Sequence, residues 1–239
     1  MRIESPLWSN ELENKIIFLS ASFPQPERDE KYFKTTNPLE ITDAVIAVAR
    51  AVFSRGGKLV FGGHPTISPL ILSVGEEFIS FSEKTCLPIV YIYQSKYFKT
   101  VISEYTEKLI ERRIGDKIKW TPAVDNDRKK SLYLMREIML KKSNPVAAIF
   151  IGGMEGVEEE FRMFTEKYPK NPVYPIGSAG GAAKILLEEE IMQPMNLNKW
   201  VFKWEYKLSE ILNDLNKSKI YPSLANKILV DLIGSKKER

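Results

Sequence analysis

The chain has 239 residues, of which 44% are hydrophobic and 28% charged, and a formal net charge of +4. That length suits one generous domain, or one domain with an appendage, and can bury a sizeable core. The single cysteine, Cys86, excludes an internal disulfide and a cysteine-rich zinc site and fits a reducing compartment. A single histidine argues against a histidine-built metal site, so neither a metal nor an obligatory cofactor is expected. Without a secretory leader or an apolar run of spanning length, the protein is read as cytoplasmic with no membrane partner. The basic residues are scattered apart from the tail Lys236-Lys-Glu-Arg239, which speaks against nucleic acid as a partner.

Taken in order, the chain alternates strand and helix signals. Residues 1 to 14 are polar and irregular, with Trp8 a candidate for packing back on the body. Lys15 to Ser20 is a buried-type strand, with Ser20 to Pro24 as the turn leaving it. Pro24 to Pro38 reads as a long loop of the kind that often serves as a lid. Ile41, Ala44, Val45, Val48, Ala49 and Val52 recur at helical spacing, with Thr42 or a neighbour as the expected cap and Arg55-Gly-Gly57 as the stop. Lys58 to Gly63 is the second strand. His64-Pro-Thr-Ile-Ser-Pro69 follows it, where Thr66 or Ser68 can cap a helix running to about Phe81.

Pro88 to Tyr93 is the third strand, with Gln94 and Ser95 placed just past its end. Tyr91 and Tyr93 are expected to alternate across it rather than to stack on a base. A charge-rich helix is predicted from about Phe98 to Arg113, then a short strand near Lys117 to Trp120. Asp127 leads into a helix with Leu132, Met135, Ile138 and Met139 on its inner face. Ala147 to Ile151 is a strand buried on both faces, broken by Gly152, Gly153 and Gly156, and the helix after it opens at Val157. Asn171 to Gly177 is a last strand. From Glu188 onward the pattern, with Trp200 and Trp204, is helical, and residues 205 to 234 read as one or two amphipathic helices.

Alternating strands and helices require an α/β, Rossmann-like parallel sheet with helices on both faces, here with C-terminal helices added. Ligands of such sheets sit outside the carboxyl ends of the strands. Four strand exits carry small or hydroxyl residues: Ser20 with Ser22; Gly62, Gly63 and His64; Gly152, Gly153, Met154, Glu155, Gly156 and Val157; and Gly177, Ser178, Gly180 and Gly181. Glycine turns entering helices expose backbone N–H groups beside the positive end of the helix dipole, a site for phosphate. Four on one edge call for an extended phosphorylated ligand, with Thr66 and Gln94 as further candidate contacts. The single Gly-x-Gly-x-x-Gly fingerprint after the first strand is absent, which argues against a simple NAD dehydrogenase. Glu158, Glu159 and Glu160 are an odd acid cluster for a phosphate site. Either they complement the helix dipole, or one of them performs chemistry or holds a sugar hydroxyl, and Glu160 is the candidate for the second role.

The combination resembles the SLOG superfamily. That group includes the LOG (lonely guy) cytokinin-activating phosphoribohydrolases, the lysine-decarboxylase-like proteins, the DprA/Smf proteins and nucleotide-sensing domains of bacterial antiphage systems. LOG enzymes carry Pro-Gly-Gly-x-Gly-Thr-x-x-Glu after a buried strand, and this chain has Ile151-Gly-Gly-Met-Glu-Gly-Val-Glu-Glu-Glu160. Leu134-Met-Arg-Glu-Ile-Met139 stands where the family has Met-His-x-Arg-Lys, and places Arg136 near its catalytic arginine. Val60-Phe-Gly-Gly-His64 corresponds to an earlier Gly-Gly turn. The likeness covers roughly residues 15 to 190, so residues 1–190 are taken as the nucleotide-binding domain and 191–239 as a helical extension. Three departures stand out: one extra residue between the glycine pair and the last glycine, Val157 in place of threonine, and an altered context around the arginine.

Two functions follow from the resemblance. In the first, the chain senses an NAD- or ADP-ribose-type ligand or a nucleoside phosphate, and passes the signal through homo-oligomer contacts or an effector protein. In the second it is a phosphoribohydrolase, in which Glu160 and Arg136 flank the N-glycosidic bond of a nucleoside monophosphate. The altered glycine motif favours the sensor; a chain without a fused effector favours the enzyme. His64 is assigned to ligand contact, with a loop-capping hydrogen bond as its alternative, and Cys86 is given no role.

Overall fold

The computed structural model describes residues 9–80, 89–99, 118–193 and 208–237. Cys86, Trp8, Trp200, Trp204 and most of the helix expected from Phe98 to Arg113 lie outside those residues. Six strands alternate with helices: β1 (Ile16–Ser22), α1 (Glu30–Phe33), α2 (Pro38–Ser54), β2 (Lys58–Phe61), α3 (Ser68–Ser80), β3 (Val90–Ser95), β4 (Lys119–Thr121), α4 (Arg128–Ser143), β5 (Ala147–Gly152), α5 (Glu155–Lys167) and β6 (Val173–Ile176). A short α6 (Gly181–Ile185) runs into a π-helical turn, Leu186–Ile191, and α7 (Leu208–Lys217) and α8 (Tyr221–Lys237) complete the described chain.

All six strands are parallel, in the order β4-β3-β2-β1-β5-β6. The chain builds outward from β1 through β2, β3 and β4, then returns to place β5 on the opposite side of β1. The switch point of the sheet therefore falls between β1 and β5, where Ser22 is in register with Gly152. Crevices at such points are where open α/β sheets bind ligands.

The central strands are apolar because both of their faces are covered: every residue of β5 is buried, whereas the edge strand β4, Lys119-Trp-Thr121, is largely part-buried. On one face α2 packs with α3 and α8, and on the other α4 packs with α5. The expected stripe of α2, Ile41, Ala44, Val45, Val48, Ala49 and Val52, is fully buried. Under α5, Phe18 stacks on Phe164 with ring centroids 6.1 Å apart, and Phe150 meets Phe161 edge-on at 5.3 Å. That aromatic slab fixes the rotation of α5 and so decides which of its glutamates turns inward. At the far end, α8 is tied to the sheet by Tyr174, whose hydroxyl donates to Asp231 over 2.7 Å. Burial, with the Asp231 carboxylate beside it, holds the Tyr174 phenol well above its ordinary pKa.

Several boundaries differ from the sequence reading for local reasons. β1 continues through Ser22, and β3 includes Gln94 and Ser95, because neighbouring strands supply ladder partners that far along. The helix α2 starts at Pro38 rather than near Thr42: the Asn37 side chain accepts from Leu39 N–H at 3.0 Å, and proline suits the first helical position. The stretch from Pro24 to Pro38 is not all loop, since Asp29 caps the one-turn helix α1. The helix α5 opens at Glu155, two residues before Val157. Tyr91 and Tyr93, two residues apart on one strand, share a face rather than alternating. Lys119 Nζ lies over both rings, 4.7 and 5.6 Å from their centroids.

Candidate functional site

The switch point opens into a cleft of about 1050 Å³ at the carboxyl ends of the central strands. From the first strand comes Ser20, from the turn after β2 Gly62 and His64, from β3 Gln94, from α4 Arg136, and from the cap and start of α5 the run Met154 to Glu160. The geometry at the centre is definite. Ser20 Oγ donates to Glu160 Oε2 at 2.5 Å, and Arg136 Nε donates to Glu160 Oε1 at 2.9 Å. Arg136 also holds Glu159 through Nη1. Both oxygens of Glu160 are thus engaged from two elements distant in sequence.

These side chains converge because of helical periodicity. Val157, Phe161 and Phe164 form the buried stripe of α5, and Glu160, one turn after Val157 and one before Phe164, lies along its edge. On α4, Met135, Arg136 and Met139 are buried together. An arginine in that position cannot reach bulk water, and its side chain is only 8% exposed. Its charge is met by two carboxylates, as a buried guanidinium requires. Gly156 admits the arginine: a Cβ there would stand 3.0 Å from Arg136 Nη2.

The amino end of α5 provides the second feature. Its cap residue, Met154, offers no side-chain hydrogen bond to the first turn. Within that turn the Val157 and Glu158 N–H groups donate to Met154 O, at 2.8 and 3.4 Å, and the residues of the turn line a cleft that also holds Arg28 and Lys31 from the segment following β1. Arg28 pairs with Glu155, and Lys31 with Glu158 at 3.8 Å. Gln25 N–H points to Met154 Sδ at 3.5 Å. The acid cluster is therefore matched acid by base rather than simply solvated: Glu155 with Arg28, Glu158 with Lys31, Glu159 and Glu160 with Arg136.

His64 is half-buried at the rim of the cleft. Thr66 approaches its Nδ1 with both Oγ1, at 2.9 Å, and N–H, at 3.4 Å. An Nδ1 that accepts from Thr66 leaves the proton on Nε2. Burial, with the Arg28 charge nearby, lowers the His64 pKa from 6.5 to about 4. The ring is neutral at physiological pH, and Thr66 orients it without lining the cleft itself. Gln94 is buried, its amide donating to Gly63 O at 3.3 Å while its carbonyl accepts from Ser95 N–H at 2.9 Å.

Of the candidate residues, Ser20, Ser22, Gly62, His64, Gln94, Arg136, Met154, Glu155, Gly156, Val157 and Glu160 line this one cleft. Gly63, Thr66, Gly152 and Gly153 are not among the residues that line it. Gly152 and Gly153 take φ of +59° and +81°, the left-handed region that favours glycine. The Gly153 N–H is spent on Ser22 O at 2.8 Å. The exit at Gly177, Ser178, Gly180 and Gly181 does not reach the cleft. The chain itself fills it: Gly181 N–H donates to Thr35 Oγ1 at 3.0 Å, and a side chain on Gly180 would run into the Thr35 carbonyl. Residues that sequence reasoning missed are Arg28, Lys31, Phe98, Arg128 and the pairing role of Glu159. The first two sit in a segment whose loop composition gave no sign of where it folds.

Among the described residues, no group of three or more His, Cys, Asp or Glu is placed to hold a metal ion. No described helix is long and apolar enough to cross a membrane. No curated protein matches the chain. A family model described as the SLOG cluster3 family matches residues 31–203, well over half of the sequence and all of the cleft's helical elements. The chain belongs to the SLOG cluster3 family, a membership that supports a nucleotide-related function and specifies it no further.

Proposed function

We propose that the protein binds a nucleotide-derived ligand, of NAD or ADP-ribose type or a nucleoside phosphate, and serves as a cytoplasmic sensor in a bacterial defence or stress system. What carries the reading is the meeting, at the switch point, of an uncapped helix start with the Ser20–Glu160–Arg136 network. Phosphate fits the first turn of α5, where dipole and N–H groups favour an anion. Arg28 and Lys31, now on Glu155 and Glu158, are the cations that can turn to it. Glu160 accepts hydrogen bonds, so the hydroxyls of a ribose are its natural partners. A binding signal of this kind is passed to a second copy of the chain or to an effector protein.

The Glu160–Arg136 pair supports a second reading, cleavage of an N-glycosidic bond. There the carboxylate, oriented by Arg136 and Ser20, stabilises an oxocarbenium-like sugar as the C–N bond breaks, and it takes the proton of the attacking water and passes it to the departing base. Chromatography separates the two readings. A panel of AMP, GMP, CMP, NAD and ADP-ribose is incubated with the protein and examined for free base. Intact ligands together with saturable binding are expected for the sensor. Base release that disappears in Glu160→Gln establishes the hydrolase, whereas equal release by mutant and parent removes Glu160 from the chemistry.

A further inference from the structure

We propose that Phe98 and Arg128 form the base-binding end of the cleft, with the ligand's nucleobase sandwiched between them; this rests on the nucleotide reading above. Phe98 ends the 3₁₀ turn Lys96–Phe98 that follows β3, and Arg128 is the first residue of α4. Both line the cleft, Phe98 half-buried and Arg128 exposed. The guanidinium lies over the face of the ring, 6.0 Å from its centroid. Tyr97, packed edge-on to Phe98 at 5.0 Å, braces the ring from the side.

The spacing decides what this pair can hold. Carbon surfaces in contact sit about 3.5–4 Å apart, so a planar base between two planes needs roughly 7 Å. Arg128 Cζ stands 6.0 Å from the Phe98 centroid, and Arg128, on an exposed side chain, can swing outward to admit a base. Aromatic faces and guanidinium planes are what flat bases stack on. The Ser20, Glu160 and Arg136 side chains offer hydrogen bonds and charge, which suit sugar and phosphate.

The platform also sets ligand length. Neighbouring strands lie about 4.8 Å apart, and the order β3-β2-β1-β5 puts three spacings, roughly 14 Å, between the exits of β3 and β5. A ligand with phosphate at α5 and base at Phe98 must cross that distance. A nucleoside monophosphate is short for it; the second phosphate of an ADP-ribose-type ligand extends the reach from the base, and its second ribose continues past α5.

Calorimetric titration of the full chain with ADP-ribose and with ribose 5-phosphate tests the assignment. Phe98→Ala is expected to weaken ADP-ribose at least about ten-fold, the stacking contribution of one base, and to leave ribose 5-phosphate unchanged. Phe98→Trp is expected to keep ADP-ribose binding. If Phe98→Ala binds ADP-ribose as the parent does, the base lies elsewhere while the nucleotide reading stands. Equal losses for both ligands in both variants mean that Phe98 supports the fold instead, and overturn the assignment. A parent protein that binds neither probe overturns the nucleotide reading together with this one.

Discussion

Replacing Arg136 with methionine should destabilise the protein by about 3 kcal/mol. The side chain is 8% exposed, and Glu160, its principal partner, is 14% exposed. Removing one member of a buried ion pair typically costs 3–5 kcal/mol, because the other charge is left without compensation. Here the cost falls at the low end, since Glu160 keeps the Ser20 hydroxyl and Glu159, at 34% exposure, can turn to water. Methionine conserves most of the buried volume, so the loss reports charge rather than a cavity. Urea unfolding followed by circular dichroism reads the effect as a fall in midpoint of about 1 M at the slope usual for such a chain. Glu160→Gln, made alone and with Arg136→Met, completes a double-mutant cycle. The double variant should lose less than the sum of the two single losses by about 1–3 kcal/mol, as residues in one network do. Additive losses, or a midpoint in Arg136→Met within about 0.2 M of the parent, would show that the pair is not the anchor described.

Two further outcomes follow. His64 has a folded-state pKa of about 4 against 6.5 for the free side chain, so the native protein favours the neutral ring. The resulting stability is fully present above pH 6.5 and is lost as pH falls through about 4, amounting to about 3 kcal/mol at 1.36 kcal/mol per unit. As the chain's only histidine, its imidazole signal can be followed by NMR without ambiguity, and His64→Gln should flatten that part of the pH–stability profile. A titration midpoint near 6.5 would contradict the burial argument. Gly180→Ala should destabilise by about 2 kcal/mol or more, since φ is +76° and the Cβ meets the Thr35 backbone. The thermal midpoint checks this, and a loss of ligand affinity with unchanged stability would return the Gly177–Gly181 turn to the binding site.

The sheet was legible because its central strands are short apolar runs, and because parallel strands joined by helices leave few topologies open. Of the candidate site residues, those that line the cleft stand mostly beside strand ends, such as Ser20, Gly62 and Gly156, where local turn chemistry announces itself. The turn at Gly177 carries the same local signal and lies outside the cleft lining. Its glycines admit the Thr35 loop, a contact made 146 residues away along the chain. Arg28, Lys31, Phe98 and Arg128 went unread for the converse reason: each is an ordinary surface type in its own segment, and only the fold brings it to the cleft. Arg136 and Glu160 do carry an internal sign, a charge on or beside the apolar stripe of its helix, which periodicity alone can detect.

The account rests on a ligand occupying the start of α5, and equilibrium binding of ADP-ribose to the parent and to Gly156→Val tests that most directly. Gly156 has an ordinary helical backbone in the first turn of α5, so valine is compatible with the fold, while its side chain intrudes on Arg136 and on the anion position. Saturable binding by the parent, with at least about a ten-fold loss in a Gly156→Val protein of similar thermal midpoint, is the predicted result; ten-fold corresponds to 1.4 kcal/mol. Equal affinity in the two proteins would place the ligand elsewhere and contradict the account.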